Sequence, residues 1–318
     1  MEAHATSRGA MGDRSSLVRS PTPRSRGEQV IKVLLGLAAA LSVLTTVLIV
    51  LSLARETISF FGDVPLADFL FGTKWTPLLG GDQQSFGVVP LVSGTLLLTG
   101  IGLLVAIPFG IGSAIYLAEY ATPRVRKVIK PILEVLAGIP TVVFGYFALT
   151  FFTPVVLKDL LGIEVPQFNA LSAGIVLGIL VLPTIASVAE DALSAVPQSL
   201  REGAFGLGAS KLQVSTRIVV PAALSGIVAA LVLGASRAIG ETVVILIAGG
   251  QTANLGIDPR ESYQSMAAFI AATSRGDIPT GSIKYETIFV VGFTLFLFTL
   301  LLNAISIRFV RRFRQVYE

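Results

Sequence analysis

The sequence predicts an all-α membrane protein with six transmembrane helices. Three observations carry that prediction. Of 318 residues, 53% are hydrophobic and only 14% charged, whereas soluble domains carry about 25% charged residues. The apolar residues gather in long runs, and about 20 such residues cross a hydrocarbon core about 30 Å thick. The Lys and Arg residues fall between those runs and not within them, with Arg237 as the exception.

Taken in order, residues 1–28 are polar and rich in Ser, Arg and Pro, too poor in apolar side chains to bury a core. They read as a disordered basic tail that lies against anionic membrane lipid and helps orient the first span. A cleaved targeting peptide is disfavoured, because the first apolar run is span-length and no Ala-x-Ala site follows it. The spans are expected near 31–53, 88–117, 132–156, 169–189, 222–249 and 286–307. Residues 29–87 form the first helix with its outer loop, 88–310 the main core, and 311–318 a basic C-terminus.

Charge sets the orientation. With the N-terminus inside, inner Lys and Arg number six through Lys32, four in 118–131, three in 190–220 and four after 307, against six in all the outer loops. Positive residues stay on the cytosolic side, so both termini and the 190–220 loop are expected there, in a multi-pass cell-membrane protein. The net charge of +4 is thus a matter of orientation, and no nucleic-acid partner is expected. There is no cysteine and one histidine, His4, which argues against a thiolate or imidazole metal site. No metal or cofactor is expected.

Glycine and proline punctuate the second, third and fourth spans: Gly94, Gly100, Gly102, Pro108, Gly110 and Gly112, then Gly138, Pro140 and Gly145, then Gly174, Gly178 and Pro183. Small residues let helices approach closely in lipid. Such breaks suit a bundle that changes shape, although membrane helices carry both residues often. In the first outer loop, Phe60, Phe61, Phe69, Phe71 and Trp75 lie among Asp63, Asp68 and Asp82. That pattern reads as an interfacial aromatic belt or a binding surface. In the last outer loop, Tyr263 to Ala272 reads as a short amphipathic helix, either an outer gate or a cap on the bundle.

The cytosolic loop 197–221 has sharp local signals. Ser199-Leu-Arg-Glu202 has the spacing of a capping box, Pro197 precedes it, and Gly208 can take the left-handed conformation that ends a helix. A two-turn helix is expected from Ser199 to Leu207, with a second helical stretch from Ser210. By local chemistry Glu202 either caps or docks. Glu202, Ala204, Gly208, Ile218 and Pro221 stand in the register of the EAA loop of ABC-importer permeases, which this stretch resembles; Gly203 and Val220 depart mildly from that pattern. The resemblance implies a coupling helix that docks on an ATPase subunit through Glu202, Ala204 and Gly208. The chain itself has no G-x-x-x-x-G-K-[ST] stretch, since Gly206-Leu-Gly-Ala-Ser-Lys211 lacks the ending. It is therefore expected to be no enzyme by itself, with ATP hydrolysed by a separate subunit.

Arg237 and Glu241 lie within the fifth span, in Gly234-Ala-Ser-Arg-Ala-Ile-Gly-Glu-Thr242. A charge at mid-bilayer costs about 3 kcal/mol on insertion scales and marks pathways by default. At i and i+4 the two are expected to share one helix face. Either they neutralise each other, or Arg237 offers its planar fork to an oxyanion while Glu241 takes a proton or holds Arg237.

The same stretch resembles the Arg-Ala-x-Gly-Glu-Thr motif of phosphate-specific ABC permeases. Phe86-Gly-Val-Val-Pro90 with Gly94-Thr95, Ala114-Ile-Tyr-Leu-Ala-Glu-Tyr120, and Ala137-Gly-Ile-Pro140 with Gly145 agree, and Trp75-Thr-Pro77 resembles the C-type member of the permease pair. The resemblance covers about residues 50–310. It implies the type I importer (MetI-like) permease fold, import of inorganic phosphate past Arg237 and Glu241, and three kinds of partner: a homologous second permease, a cytosolic ATPase dimer and an extracytoplasmic phosphate-binding protein. Residue chemistry alone leaves phosphonate, molybdate or sulfate open. An ion-coupled secondary transporter would need no coupling loop and would be expected to show an inverted repeat. A non-transporting sensor or scaffold would show no phosphate-responsive nucleotide hydrolysis.

Overall fold

The structure, a computed structural model, describes residues 23–313. The basic segments expected at 1–28 and 311–318 fall largely outside the described residues. The chain divides into two units after Ser52. The first holds the leading part of α1 (Pro23–Asp63), where apolar side chains such as Leu34, Leu41 and Leu48 are exposed.

The second unit is helical. After the end of α1 come α2 (Leu66–Phe71), α3 (Val89–Ile115) and α4 (Pro123–Gly138). Next are α5 (Thr141–Phe147), which runs on as a π-helix through Leu160, then α6 (Ala170–Ser194) and α7 (Gln198–Gly206). The remainder is α8 (Lys211–Val214), α9 (Val220–Ala222), α10 (Leu224–Ile239), α11 (Met266–Thr273) and α12 (Ile283–Phe313). Among the described residues, five helices are long and apolar enough to cross a membrane, and six if the α8–α10 stretch, bent by 71°, counts as one span.

The centre of the bundle is α3 against α6. A Cβ on Gly178 would fall 2.6 Å from the Gly102 carbonyl oxygen and 2.7 Å from Val105 Cβ, and one on Gly174 would fall 2.7 Å from Ile101 Cβ. These glycines bring two backbones into contact, as packing in lipid favours. Around the contact lies a core that includes Leu98, Leu177, Val181, Ile185 and Tyr263.

Four expectations need correction. The third span does not start near 132: α4 is an amphipathic helix with Arg124, Arg126, Lys127, Lys130 and Glu134, and it stops ahead of Pro140. Ile139 is driven to an extended backbone by the proline that follows, and the apolar helix starts at Thr141. The fifth span is not continuous over 222–249. It bends after Ala222, behind Pro221 and a widened π turn at Ser215–Val219, and it breaks again at Gly240.

The third correction concerns the aromatic loop. Phe60, Phe69 and Trp75 do not form a belt. They are buried and meet each other, Phe61, Phe86 and Phe269 edge to face, with centroids 5.1–6.3 Å apart. Such pairs add about 0.5–1.5 kcal/mol each beyond area burial, so the loop folds into a second core that it shares with Leu91 of α3, Met266 and Phe269 of α11, and Val290 and Val291 of α12. Fourth, the expected amphipathic helix at Tyr263–Ala272 starts later, at Met266, and is buried rather than amphipathic. The Ser265 side chain caps it by accepting from the Ala268 amide at 3.1 Å, and the Met266 amide donates to Thr95 Oγ1 at 3.0 Å. That second bond inserts α11 against α3.

Candidate functional site

The α7 loop is one candidate site. The helix runs over Gln198–Gly206 with Pro197 as its N-cap and no side-chain cap bond. The Ser199–Glu202 capping box is therefore absent: the helix starts one residue earlier, which places Ser199 inside the first turn. A reciprocal box does form one element later, where Ser210 and Gln213 bond each other's backbone amides at the start of α8. Gly208 has φ +80°, the left-handed conformation expected of it. Ala204 is buried, while Glu202, Phe205 and Leu207 are exposed. With its carboxylate free of any cap bond, Glu202 is available to another surface.

Arg201, next to it, turns the other way. Its Nη2 and Nε donate to Glu119 Oε1 at 2.8 and 3.2 Å, Nη1 donates to the Val196 carbonyl at 2.5 Å, and Nη2 also donates to the Leu193 carbonyl at 2.9 Å. Both charged side chains are nearly buried. Sequence reasoning quoted Glu119 only within an apolar motif and gave Arg201 no role. A lone acid at the end of an apolar span was the available signal.

A second cluster was also missed. Glu190, near the end of α6, has a side chain only 1% exposed. It accepts from Arg126 and, at 2.8 Å, from Lys130 Nζ, both on α4. Lys130 also reaches Asp191 at 3.2 Å. The hydrogen bond to Glu190 is the main cause that raises the Lys130 pKa above its ordinary value. Unpaired, Glu190 would not tolerate such burial, so α4 is fastened to α6 by charge at this point. Between the two helices lies a cavity of about 240 Å³, whose lining includes Lys130, Glu134, Thr184, Ser187 and Glu190.

Arg237 and Glu241 are the second candidate site, and they do not share a helix face. α10 ends at Ile239 with Gly240 as its C-cap. Glu241 lies in the break, buried, and its Oε1 accepts from the Val243 and Val244 amides at 3.0 and 3.3 Å. The carboxylate caps the next helical turn, which competes with continuation of α10. Arg237 is exposed on the last turn of α10, and its Nη1 donates to Thr184 Oγ1 of α6 at 2.9 Å. Among the described residues no carboxylate lies within ion-pair distance of it. Mutual neutralisation is therefore not what this structure contains: the acid caps, and the guanidinium keeps most of its donors free. Ser236, one position earlier, donates to Asn303 Oδ1 at 2.9 Å and ties α10 to α12.

The comparisons agree with this architecture. The family described as binding-protein-dependent transport system inner membrane component matches residues 106–315. The probable ABC transporter permease protein YqgH of Bacillus subtilis is 34% identical over 252 residues, 76% of this chain and 78% of that protein. The phosphate transport system permease protein PstC of Haemophilus influenzae is 31% identical over 277 residues, 82% and 84% of the two chains. PstC 1 of Mycobacterium tuberculosis is 34% identical over 249 residues, 71% and 73%. Among solved structures, the inward-facing MetNI methionine ABC transporter aligns with a TM-score of 0.53 at 18% identity, over 72% of this chain and 95% of that one. A bacterial ABC transporter that imports alginate aligns at 0.59 and 18%, over 91% and 100%. With a bundle of this form and a family match over most of its length, the chain belongs to the binding-protein-dependent transport system inner membrane components, as a permease of the type I ABC importer fold.

Proposed function

We propose that this chain is the membrane subunit through which an ATP-driven importer moves inorganic phosphate into the cytoplasm. The observation that carries the reading is Arg237: a guanidinium on a span helix, held by a hydroxyl and unpaired by any acid among the described residues. A cation at membrane depth without an acid partner is costly, and an oxyanion passing it supplies the missing charge through a bidentate contact. The PstC relatives, similar over most of the chain, support phosphate as that oxyanion. Glu241 belongs to the same pathway by holding the break in the helix just beyond Arg237.

The subunit is proposed to work beside a homologous permease, above a cytosolic ATPase dimer, and beneath an extracytoplasmic phosphate-binding protein. Both termini and α7 face the cytosol in this arrangement, as the distribution of Lys and Arg supports. The ATPase engages Glu202, Ala204 and Gly208. Closure of its dimer on ATP moves α7, the bundle rocks, and the Arg237 site opens outward; hydrolysis returns it.

The test is radiolabelled phosphate uptake into phosphate-starved cells with and without this gene, challenged by excess molybdate, sulfate or phosphonate. Loss of phosphate-selective uptake on deletion is the expected result. Uptake displaced by one of the competitors would move the assignment to that oxyanion.

A further inference from the structure

We propose that Arg201 is a positioning residue that locks α7 onto the ends of α3 and α6, so that a pull on α7 moves the bundle and is not absorbed in the loop. This rests on the reading above, in which a partner subunit pulls α7.

The argument starts from how little else holds that helix. α7 has nine residues, and a helix that short does not hold itself in water. Its single buried residue is Ala204, the smallest apolar side chain available, and it carries no side-chain cap. Leu200 is half-buried against the same apolar cluster, while Phe205 and, just past the helix, Leu207 are exposed. Pro197 precedes it, and Gly208, at φ +80°, follows it. Ala204 and Leu200 together give α7 only a small apolar hold on the spans.

Arg201 supplies the attachment. From α7 one guanidinium reaches the Glu119 carboxylate at the end of the α3 stretch, the Leu193 carbonyl in the last turn of α6, and the Val196 carbonyl just past it in the link to α7. The Leu193 carbonyl lies at a helix C-terminus, where acceptors lack intrahelical donors and the dipole favours a cation. The pair is nearly buried, with side chains 11% and 6% exposed, so water does not compete for the bonds. Only the planar fork of arginine can make all of them at once; a lysine is a point donor. Consecutive residues lie about 100° apart around a helix. Arg201 thus turns inward while Glu202 turns outward, placing the anchor and the docking acid side by side.

The experiment uses the assembled importer complex in proteoliposomes, with ATP and radiolabelled phosphate, comparing wild type with Arg201→Gln and Glu119→Gln. The expected result is a complex that still co-purifies with its ATPase and hydrolyses ATP within about twofold of wild type, with phosphate moved per ATP down about tenfold or more. Hydrogen exchange of the 198–206 amides should rise about tenfold while the α3 and α6 amides keep their protection. Unchanged phosphate per ATP in both variants would overturn the proposal. So would loss of the ATPase subunit from Arg201→Gln, which would make Arg201 part of the docking face. Exchange unchanged at 198–206 would overturn it as well. If wild-type complex moves no phosphate at all, the substrate assignment fails, and the exchange measurement still decides the role of Arg201.

Discussion

Arg237 of α10 donates to the hydroxyl of Thr184 of α6 at 2.9 Å, and Thr184 also lines the cavity between α4 and α6. One side chain therefore aims the guanidinium and borders open space. Arg237→Gln keeps a donor of similar reach but removes the charge. Phosphate uptake should be abolished while the complex still assembles, as read by co-purification; intact uptake would sink the substrate role. Thr184→Val removes only the aiming bond. A hydrogen bond to a charge is worth about 1.5–3 kcal/mol when buried, and about 1 here because Arg237 is exposed. Uptake at low phosphate should drop about fivefold.

Glu241 separates two roles by a conservative change. Glutamine keeps a carbonyl oxygen that can accept from the Val243 and Val244 amides, so a capping role predicts uptake within about threefold of wild type for Glu241→Gln. Glu241→Ala removes the cap at a cost of about 1 kcal/mol and should lower uptake further. If the glutamine variant is instead as inactive as alanine, with an altered pH profile, the residue moves a proton.

Much of this was legible in the sequence, and what was missed has physical causes. Span number and the left-handed Gly208 follow from apolar run length and from a backbone geometry that glycine adopts freely. The break at Gly240–Thr242 was missed because helical periodicity runs straight through it, and the i, i+4 spacing of Arg237 and Glu241 assumed an unbroken helix. The capping box was placed at Ser199, where Pro197 had already started the helix. The roles of Glu190 and Arg201 depend on partners 64 and 82 residues away. Local spacing does not encode such distances, although an acid at the end of an apolar span was a visible hint.

The buried Glu190 makes an asymmetric prediction. Glu190→Gln removes the acid that Arg126 and Lys130 share, but Lys130 keeps Asp191 and both cations are partly exposed and can turn to water. The expected cost is about 1 kcal/mol. Removing both cations in Arg126→Met/Lys130→Met strands a buried carboxylate, for about 3 kcal/mol. Thermal melts of the detergent-purified subunit should rank the double variant below Glu190→Gln; the reverse order would mean the cations, not the acid, pay the burial cost. The Lys130 pKa is raised in the fold, so its contribution is complete below the ordinary value near 10.4 and is lost only as pH rises through the raised one. The gap between wild type and Lys130→Met should therefore stay flat between about pH 6 and 9.

The Glu202 side chain is exposed and makes no hydrogen bond or ion pair among the described residues, so reversing its charge should spare the fold. Glu202→Lys is expected to leave the melt of the purified subunit unchanged and to reduce recovery of the ATPase subunit in pull-downs by about tenfold, the effect of losing roughly 1.4 kcal/mol. Full recovery of the ATPase would count against docking at this residue. The contrast with Arg201→Gln is informative, because the neighbouring change is expected to keep the ATPase and lose the coupling.

The contact between α3 and α6 leaves no room for a side chain at Gly178. A methyl group on Gly178 would sit 2.6 Å from the Gly102 carbonyl oxygen, a backbone atom that cannot step aside without moving α3. Gly178→Ala gains helix propensity of about 1 kcal/mol, but forcing two packed helices apart costs about 1–3 kcal/mol, so a net loss is expected. Gly112→Ala on α3 is the control, since its added methyl meets nothing within 4 Å, and propensity alone should leave that variant as stable as wild type or slightly more so. The readout is the melting temperature of each purified variant. Equal melting of the two would mean that α3 and α6 separate at no cost, and the close approach at Gly102 and Gly178 would then not be what holds the bundle centre.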